Sequence, residues 1–157
     1  MLKHVKGDLL QLARDGKFHV IVQGCNCFNT MGSGIAKQIK EQFPKAYEAD
    51  QQFSYAGDYK KLGNYSVMLG KQFNIINAYT QYDYNRKGET PRDRFEYTAF
   101  TLILQKLLHE YEVCDFGFPY IGMGLAGGNQ RQILSLLEWF AEEIEQTGGS
   151  ATLVEYA

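Results

Sequence analysis

Little in this sequence supports a cysteine or metal scaffold. Its three cysteines are an odd number, and two of them, Cys25 and Cys27, lie one residue apart. A secreted disulfide framework needs paired cysteines at other spacings, so the usage fits a reducing cytosol. No second Cys/His cluster completes four tetrahedral ligands, so no metal is expected. An excess of one charge sign is also lacking. Lys and Arg number 16 against 18 Asp and Glu, a formal net charge of -2. Duplex nucleic acid demands clustered cations in excess, so it is not an expected partner. No apolar run reaches the length of a bilayer span, and Met1-Leu2-Lys3-His4-Val5 has no apolar signal core. The expectation is a cytoplasmic protein without a membrane partner. No repeat, low-complexity block or linker divides the 157 residues. That predicts one domain over 1–157, large enough to bury a core without staples.

What is present is a hydrophobic period that switches between about two and about 3.6. Leu2 to Lys6 reads as a strand, and Gly7-Asp8 turns into a short helix ending at Arg14. Phe18 to Val22 is nearly all apolar, with Phe18, Val20 and Val22 on one face and Ile21 on the other. Such a strand belongs inside a helix-covered sheet. A helix follows near Ser33 to Gln42, with Ile35, Ile39 and Phe43 in line and Pro44 ending it. Tyr65 to Leu69 and Phe73 to Tyr79 are strand-like, and charged Gln81 to Arg92 is a loop. Asp93 to Glu112 is the clearest helix. Asp115 to Ile121 reads as a strand, Gln130 to Glu145 as a helix, and Ala151 to Tyr156 as the last strand. The predicted fold class is α/β, a three-layer α/β/α sandwich over a mixed sheet.

Two glycine loops, Met31-Gly32-Ser33-Gly34 and Gly122-Met123-Gly124-Leu125-Ala126-Gly127-Gly128, each follow a strand and precede a helix. Without β-carbons the backbone can approach an anion, and free N–H groups at a helix start point toward it. A lone loop of this kind is as often a tight turn. Two at equivalent strand ends suggest a ligand crevice. The second loop spells G-x-G-x-x-G, but only one helix and one strand follow it, whereas the dinucleotide fingerprint opens its fold. Neither loop ends in the Gly-Lys-Ser/Thr of an ATPase phosphate loop.

Lys6-Gly7-Asp8-Leu9-Leu10, Gly24-Cys25-Asn26-Cys27, Met31-Gly32-Ser33-Gly34-Ile35-Ala36, Phe43-Pro44-Lys45-Ala46-Tyr47 and Pro119-Tyr120-Ile121-Gly122 through Gly128 occur here in order. Together they resemble a macrodomain over essentially the whole chain. The resemblance is strongest to the branch of ADP-ribose 1″-phosphate phosphatases and terminal ADP-ribose glycohydrolases, on the phosphatase side. It implies a cleft for ADP-ribose or a derivative, with no cofactor, and with nucleic acid only as an ADP-ribosylated substrate. Asp8 would accept from the adenine amino group and the Leu9 N–H would meet the ring. The other reading of Asp8 is the cap of the helix starting at Leu9. Tyr156 would stack on adenine, or is an ordinary terminal aromatic.

The resemblance further places Cys25 and Asn26, then Met31, Gly32, Ser33, Gly34 and Ile35, on one side of the pyrophosphate and distal ribose. Pro119, Ile121, Gly122, Met123, Gly124, Leu125 and Ala126 stand on the other. Main-chain donors of this kind let an acidic protein bind a dianion. Asn26, whose amide both donates and accepts, is the candidate catalytic residue, orienting the terminal ribose or a water. Its other reading is a turn asparagine. The thiols of Cys25 and Cys27 read as packing groups, and His4, His19 and His109 as structural or surface residues. The lysine and aspartate that serve the glycohydrolases correspond, without gaps, to Gln81 and Ala126, which form neither an imine nor a base. The expected activity is hydrolysis of ADP-ribose 1″-phosphate to ADP-ribose and phosphate. The alternatives are removal of ADP-ribose from nucleic acid or protein, and a reader without turnover.

Overall fold

In the computed structural model, which describes residues 1–124 and 126–156, six strands build one sheet. They are β1 (Lys3–Gly7), β2 (Val20–Cys25), β3 (Tyr65–Met68), β4 (Asn74–Tyr79), β5 (Asp115–Phe118) and β6 (Ser150–Tyr156). Their order is β1-β6-β5-β2-β4-β3, and every pairing is parallel except that of β3 with β4. The helices are α1 (Leu9–Arg14), α2 (Gly34–Gln42), α3 (Pro44–Phe53), α4 (Tyr97–Glu110) and α5 (Gln130–Gln146). Among the described residues, no helix is long and apolar enough to cross a membrane.

Alternation along β2 divides the core into two layers. Val20 and Val22 join Ile76, Phe100, Ile103, Phe116, Leu137 and Phe140, so α4 and α5 cover that face. Ile21 joins Leu9, Leu10, Ala13, Ile39, Ala46 and Ile75 beneath α1, α2 and α3. This is the expected three-layer α/β/α sandwich on a mixed sheet.

Several boundaries move for physical reasons. The strand read at Phe18 begins at Val20 and runs on to Cys25, and Phe18 packs on the face of Ile21, not that of Val20. His19 therefore lies just before β2, where its Nδ1 accepts from the Asp115 N–H at 2.8 Å. Pro44 ends α2 but also opens α3, the first-turn position at which its missing N–H costs nothing. The helix read from Asp93 starts only at Tyr97. Its leading backbone is bonded elsewhere, Arg94 N to Ala126 O at 2.8 Å and Glu96 N to Thr80 O at 2.7 Å. The strand read as far as Ile121 stops at Phe118, because Pro119 has no N–H to extend the ladder.

Candidate functional site

The sheet reverses its connections between β2 and β5. Chain leaving β2 enters α2 on one face, while chain leaving β5 enters α5 on the other. The two strands pair only at Val20↔Phe116 and Ile21↔Gly117, after which β2 continues and β5 departs at Pro119. Such a switch point, outside the carboxyl ends of the strands, is the usual ligand position in an open α/β sheet. An open groove of about 730 Å³ runs along the outer face of α5 past Leu134 and Trp139. It is lined by one helix and gathers no convergent loops, so the chemistry is sought at the strand ends.

On the β2 side, Met31 is buried and Gly32, Ser33 and Gly34 are exposed. Ser33 precedes α2 without a side-chain cap bond, and the first intrahelical bond runs from Lys37 N to Ser33 O. The N–H groups of Gly34, Ile35 and Ala36 thus lie in a first turn that offers them no partner. A β-carbon at Gly32 or Gly34 would meet nothing within 4 Å, and Gly34 has φ +58°.

On the β5 side the loop is tightly tied. Ile121 N donates to Pro119 O, Met123 N to Tyr120 O, Gly127 N to Gly124 O and Gly128 N to Gly122 O. Those four N–H groups are spent within the loop. Gly122 is structural as well, since its β-carbon would stand 2.3 Å from the Phe95 ring. Gly124 faces open space instead. Leu125 lies outside the described residues.

Asp8 caps α1, with its Oδ1 accepting from Leu10 N at 3.0 Å and Gln11 N at 3.3 Å. Both cap bonds fall on Oδ1, so the second oxygen can accept from another group. Leu9 buries its side chain in the core, and Tyr156 is exposed at the end of β6, in register with Gly7 beside Asp8. Asn26 is engaged in its own loop: Oδ1 accepts from Phe28 N at 2.8 Å and Nδ2 donates to Thr30 Oγ1 at 2.7 Å. One amide hydrogen and one lone pair remain for a sugar or water. Gln81 donates to Asp83 O, and Arg86 is held by Asp83 and lies over Tyr84.

The cysteines pack as expected. Cys25 and Cys27 share a buried cluster with Met31 and Tyr79. Burial pushes the Cys25 thiol well above its usual range, with Asp50 adding to the rise and Lys61 opposing it. Burial likewise pushes Cys27 to about 12, and its Sγ donates to Gln81 O at 3.4 Å. Neither is a thiolate nucleophile. Among the described residues no group of three or more His, Cys, Asp or Glu could hold a metal.

Two features beside the switch point escape sequence reasoning. One is a buried polar network. Lys61, fully buried, donates to Asp50 Oδ1 at 3.0 Å and to Asn29 Oδ1, with its ammonium 4.4 Å from the Tyr79 ring centroid. Tyr79 OH bonds Asp50 Oδ1 and Ser66 Oγ, each at 2.7 Å, and Asn77 continues the chain to Gln23 on β2. Removing one partner of such a buried ion pair costs about 3–5 kcal/mol. The other is an aromatic rim at the ends of β2 and β4. Tyr59 stacks on Tyr82 at 4.4 Å, and Phe28 meets Tyr82 edge-on at 5.0 Å. A lysine or tyrosine in isolation carries no such signal. Only the positive-φ asparagine, Asn29 at φ +59°, hints locally at a constrained loop.

No family model matches the chain. An uncharacterized 17.5 kDa protein of Enterobacteria phage T4 is 36% identical, over 92% of this chain and 93% of its own. The DNA ADP-ribosyl glycohydrolase of Mycobacterium tuberculosis is 25% identical over 93% of this chain, which spans 37% of that enzyme. The ADP-ribose 1″-phosphate phosphatase of Aspergillus oryzae is 41% identical over a shorter stretch, 29% of this chain and 21% of the enzyme. Among solved structures, the macrodomain of M. tuberculosis DarG superposes with a TM-score of 0.70 at 20% identity, covering 99% of this chain and 97% of that one. Thermosipho africanus DarTG in complex with ADP-ribose superposes at 0.72 and 16% identity, over all of this chain and 42% of that one. With the DarG structure superposing over nearly the whole of both chains, this chain has the macrodomain fold.

Proposed function

We propose that the chain binds ADP-ribose in the crevice between β2 and β5 and hydrolyses a bond at the distal ribose. The observation that carries this reading is the pair of open glycine positions, Gly32 and Gly124, on loops at adjacent strand ends. One of those loops runs into an uncapped helix start. Main-chain N–H groups from both sides receive the pyrophosphate, and hydrogen bonds to charged oxygens are the stronger kind. Asp8 accepts from the adenine amino group through its second oxygen while continuing to cap α1. Leu9 N–H meets the ring, and Tyr156 stacks on it. The backbone of Cys25, Met31, Ser33, Gly34 and Ile35 lines one wall. That of Pro119, Ile121, Gly122, Met123 and Ala126 lines the other.

The product expected from the sequence, beside ADP-ribose, is inorganic phosphate. Water attacks phosphorus, the bond from phosphorus to the 1″ oxygen breaks, and the ribose hydroxyl leaves with a proton. Asn26 orients the ribose or the water, with positioning and main-chain charge stabilisation supplying the rate. A second reading, removal of ADP-ribose from a nucleic-acid base, is favoured by the aromatic rim of Phe28, Tyr59, Tyr82 and Tyr84. Flat rings beside the distal end suit a planar leaving group. The DNA ADP-ribosyl glycohydrolase also matches more of this chain than the phosphatase does.

Phosphorus NMR on ADP-ribose 1″-phosphate tests the first reading. It is expected to show inorganic phosphate growing with the parent protein and none with Gly32→Glu. If phosphate stays absent while an ADP-ribosylated oligonucleotide loses its modification on a gel, the second reading replaces the first. Binding without turnover of either substrate makes the protein a reader.

A further inference from the structure

We propose that Lys61 and Asn29 are positioning residues for the crevice: the buried ammonium holds Asn29 and thereby sets the loop between β2 and α2. The ligand affected rests on the ADP-ribose reading, whereas the mechanical claim does not.

Asn29 stands midway between Asn26 and Gly32, on the stretch that forms one wall. Its left-handed backbone, φ +59°, turns the chain there. Its carboxamide bridges two other segments, accepting from Lys61 Nζ and donating to Ser54 O at 3.1 Å. Lys61 is itself immobilised by Asp50 Oδ1 at 3.0 Å and Asp50 O at 3.4 Å, above the Tyr79 ring. Tyr79 belongs to β4 and reaches Asp50 through its hydroxyl. The loop is thus referenced to the sheet through a chain of side chains, each with a fixed partner. A fully buried ion pair is a poor device for stability, because apolar residues of similar volume serve as well or better. It is a device for specifying one conformation, since the Lys61 ammonium meets Asn29 Oδ1, Asp50 Oδ1 and Asp50 O together in this arrangement, although Asp50 Oδ2 has no partner among the described residues. A loop that spends only a tenth of its time in the competent conformation binds about tenfold more weakly.

The test compares Asn29→Gly, Asn29→Asp and Lys61→Met with the parent. Glycine adopts the positive φ freely but loses the carboxamide, and aspartate keeps an acceptor facing the lysine. Asn29→Gly is expected to lower ADP-ribose affinity by about tenfold in calorimetry, with a melting temperature near the parent's. Asn29→Asp keeps the acceptor for Lys61 but sets a carboxylate oxygen against Ser54 O, so it is expected to fall between the parent and Asn29→Gly in affinity. Amide hydrogen exchange supplies a second readout that needs no ligand. Residues 30–36 should exchange faster in Asn29→Gly and Lys61→Met, and less so in Asn29→Asp, while the β2 and β4 amides of Asn29→Gly stay protected. Parent-like affinity and parent-like loop exchange in Asn29→Gly would overturn the proposal. If the parent itself fails to bind ADP-ribose, the functional reading falls and the exchange pattern alone decides the positioning role.

Discussion

At the level of single residues, burial decides which polar groups are reactive. Cys25 and Cys27 look like a zinc or nucleophile pair by spacing, yet both thiols are held protonated by desolvation. Folding raises these ionisations, so the stability they contribute is complete below the ordinary thiol value of 9.0 and is lost as pH rises toward about 12. Urea midpoints are therefore expected to fall across that alkaline window, and less so in Cys27→Ala. Mass spectrometry after alkylation of the native protein at pH 8 is expected to find Cys114, which is partly exposed, modified before either buried thiol. Fast labelling of Cys25 or Cys27 would contradict their assignment as packing groups. Their packing role is legible in the sequence from the missing ligand partners. The burial of Lys61 is not, because a lysine beside another lysine ordinarily marks a solvated surface.

At the level of elements, the chain is most readable where periodicity and punctuation agree. The stripe Ile133, Leu137, Phe140 and Ile144 defines α5, and all four are buried. Asp8 before α1 is equally clear, and there the cap and the proposed adenine contact share one side chain. The two roles separate by substitution. Asp8→Ser keeps a capping oxygen but withdraws the second carboxylate oxygen, so the melting temperature is expected to change little. ADP-ribose affinity should drop about tenfold, the value of one lost hydrogen bond to a buried partner. An unchanged affinity would leave Asp8 as a cap alone. Elements governed by distant bonds are the less readable ones. The start of α4 is displaced to Tyr97 because Arg94 and Glu96 bond to other loops. The whole of α3 hides behind Pro44, which reads as a terminator until its first-turn position is seen.

At the level of the molecule, a greasy central strand and two glycine loops are enough to suggest where a ligand sits. They do not give the order β1-β6-β5-β2-β4-β3 or the short pairing of β2 with β5 at the switch point. Strand order depends on contacts between residues far apart in the chain, and so does the network from Gln23 to Lys61 that underlies one wall. The glycines also divide by role only in three dimensions. Gly122 and Gly128 make room for Phe95 and Ile133, whereas Gly32 and Gly124 face open space. Gly32 is the better place to block the crevice, since Gly34→Glu would add about 1–2 kcal/mol of left-handed strain.

An amide-resolved NMR titration with ADP-ribose, run on the parent and on Gly32→Glu, bears most directly on the crevice itself. Shifts are expected at Asp8-Leu9, across 26–36 and across 119–128, with none of them in a Gly32→Glu protein that folds normally. Shifts centred on the α5 groove, or a Gly32→Glu variant that responds as the parent does, would contradict the placement of the ligand between β2 and β5.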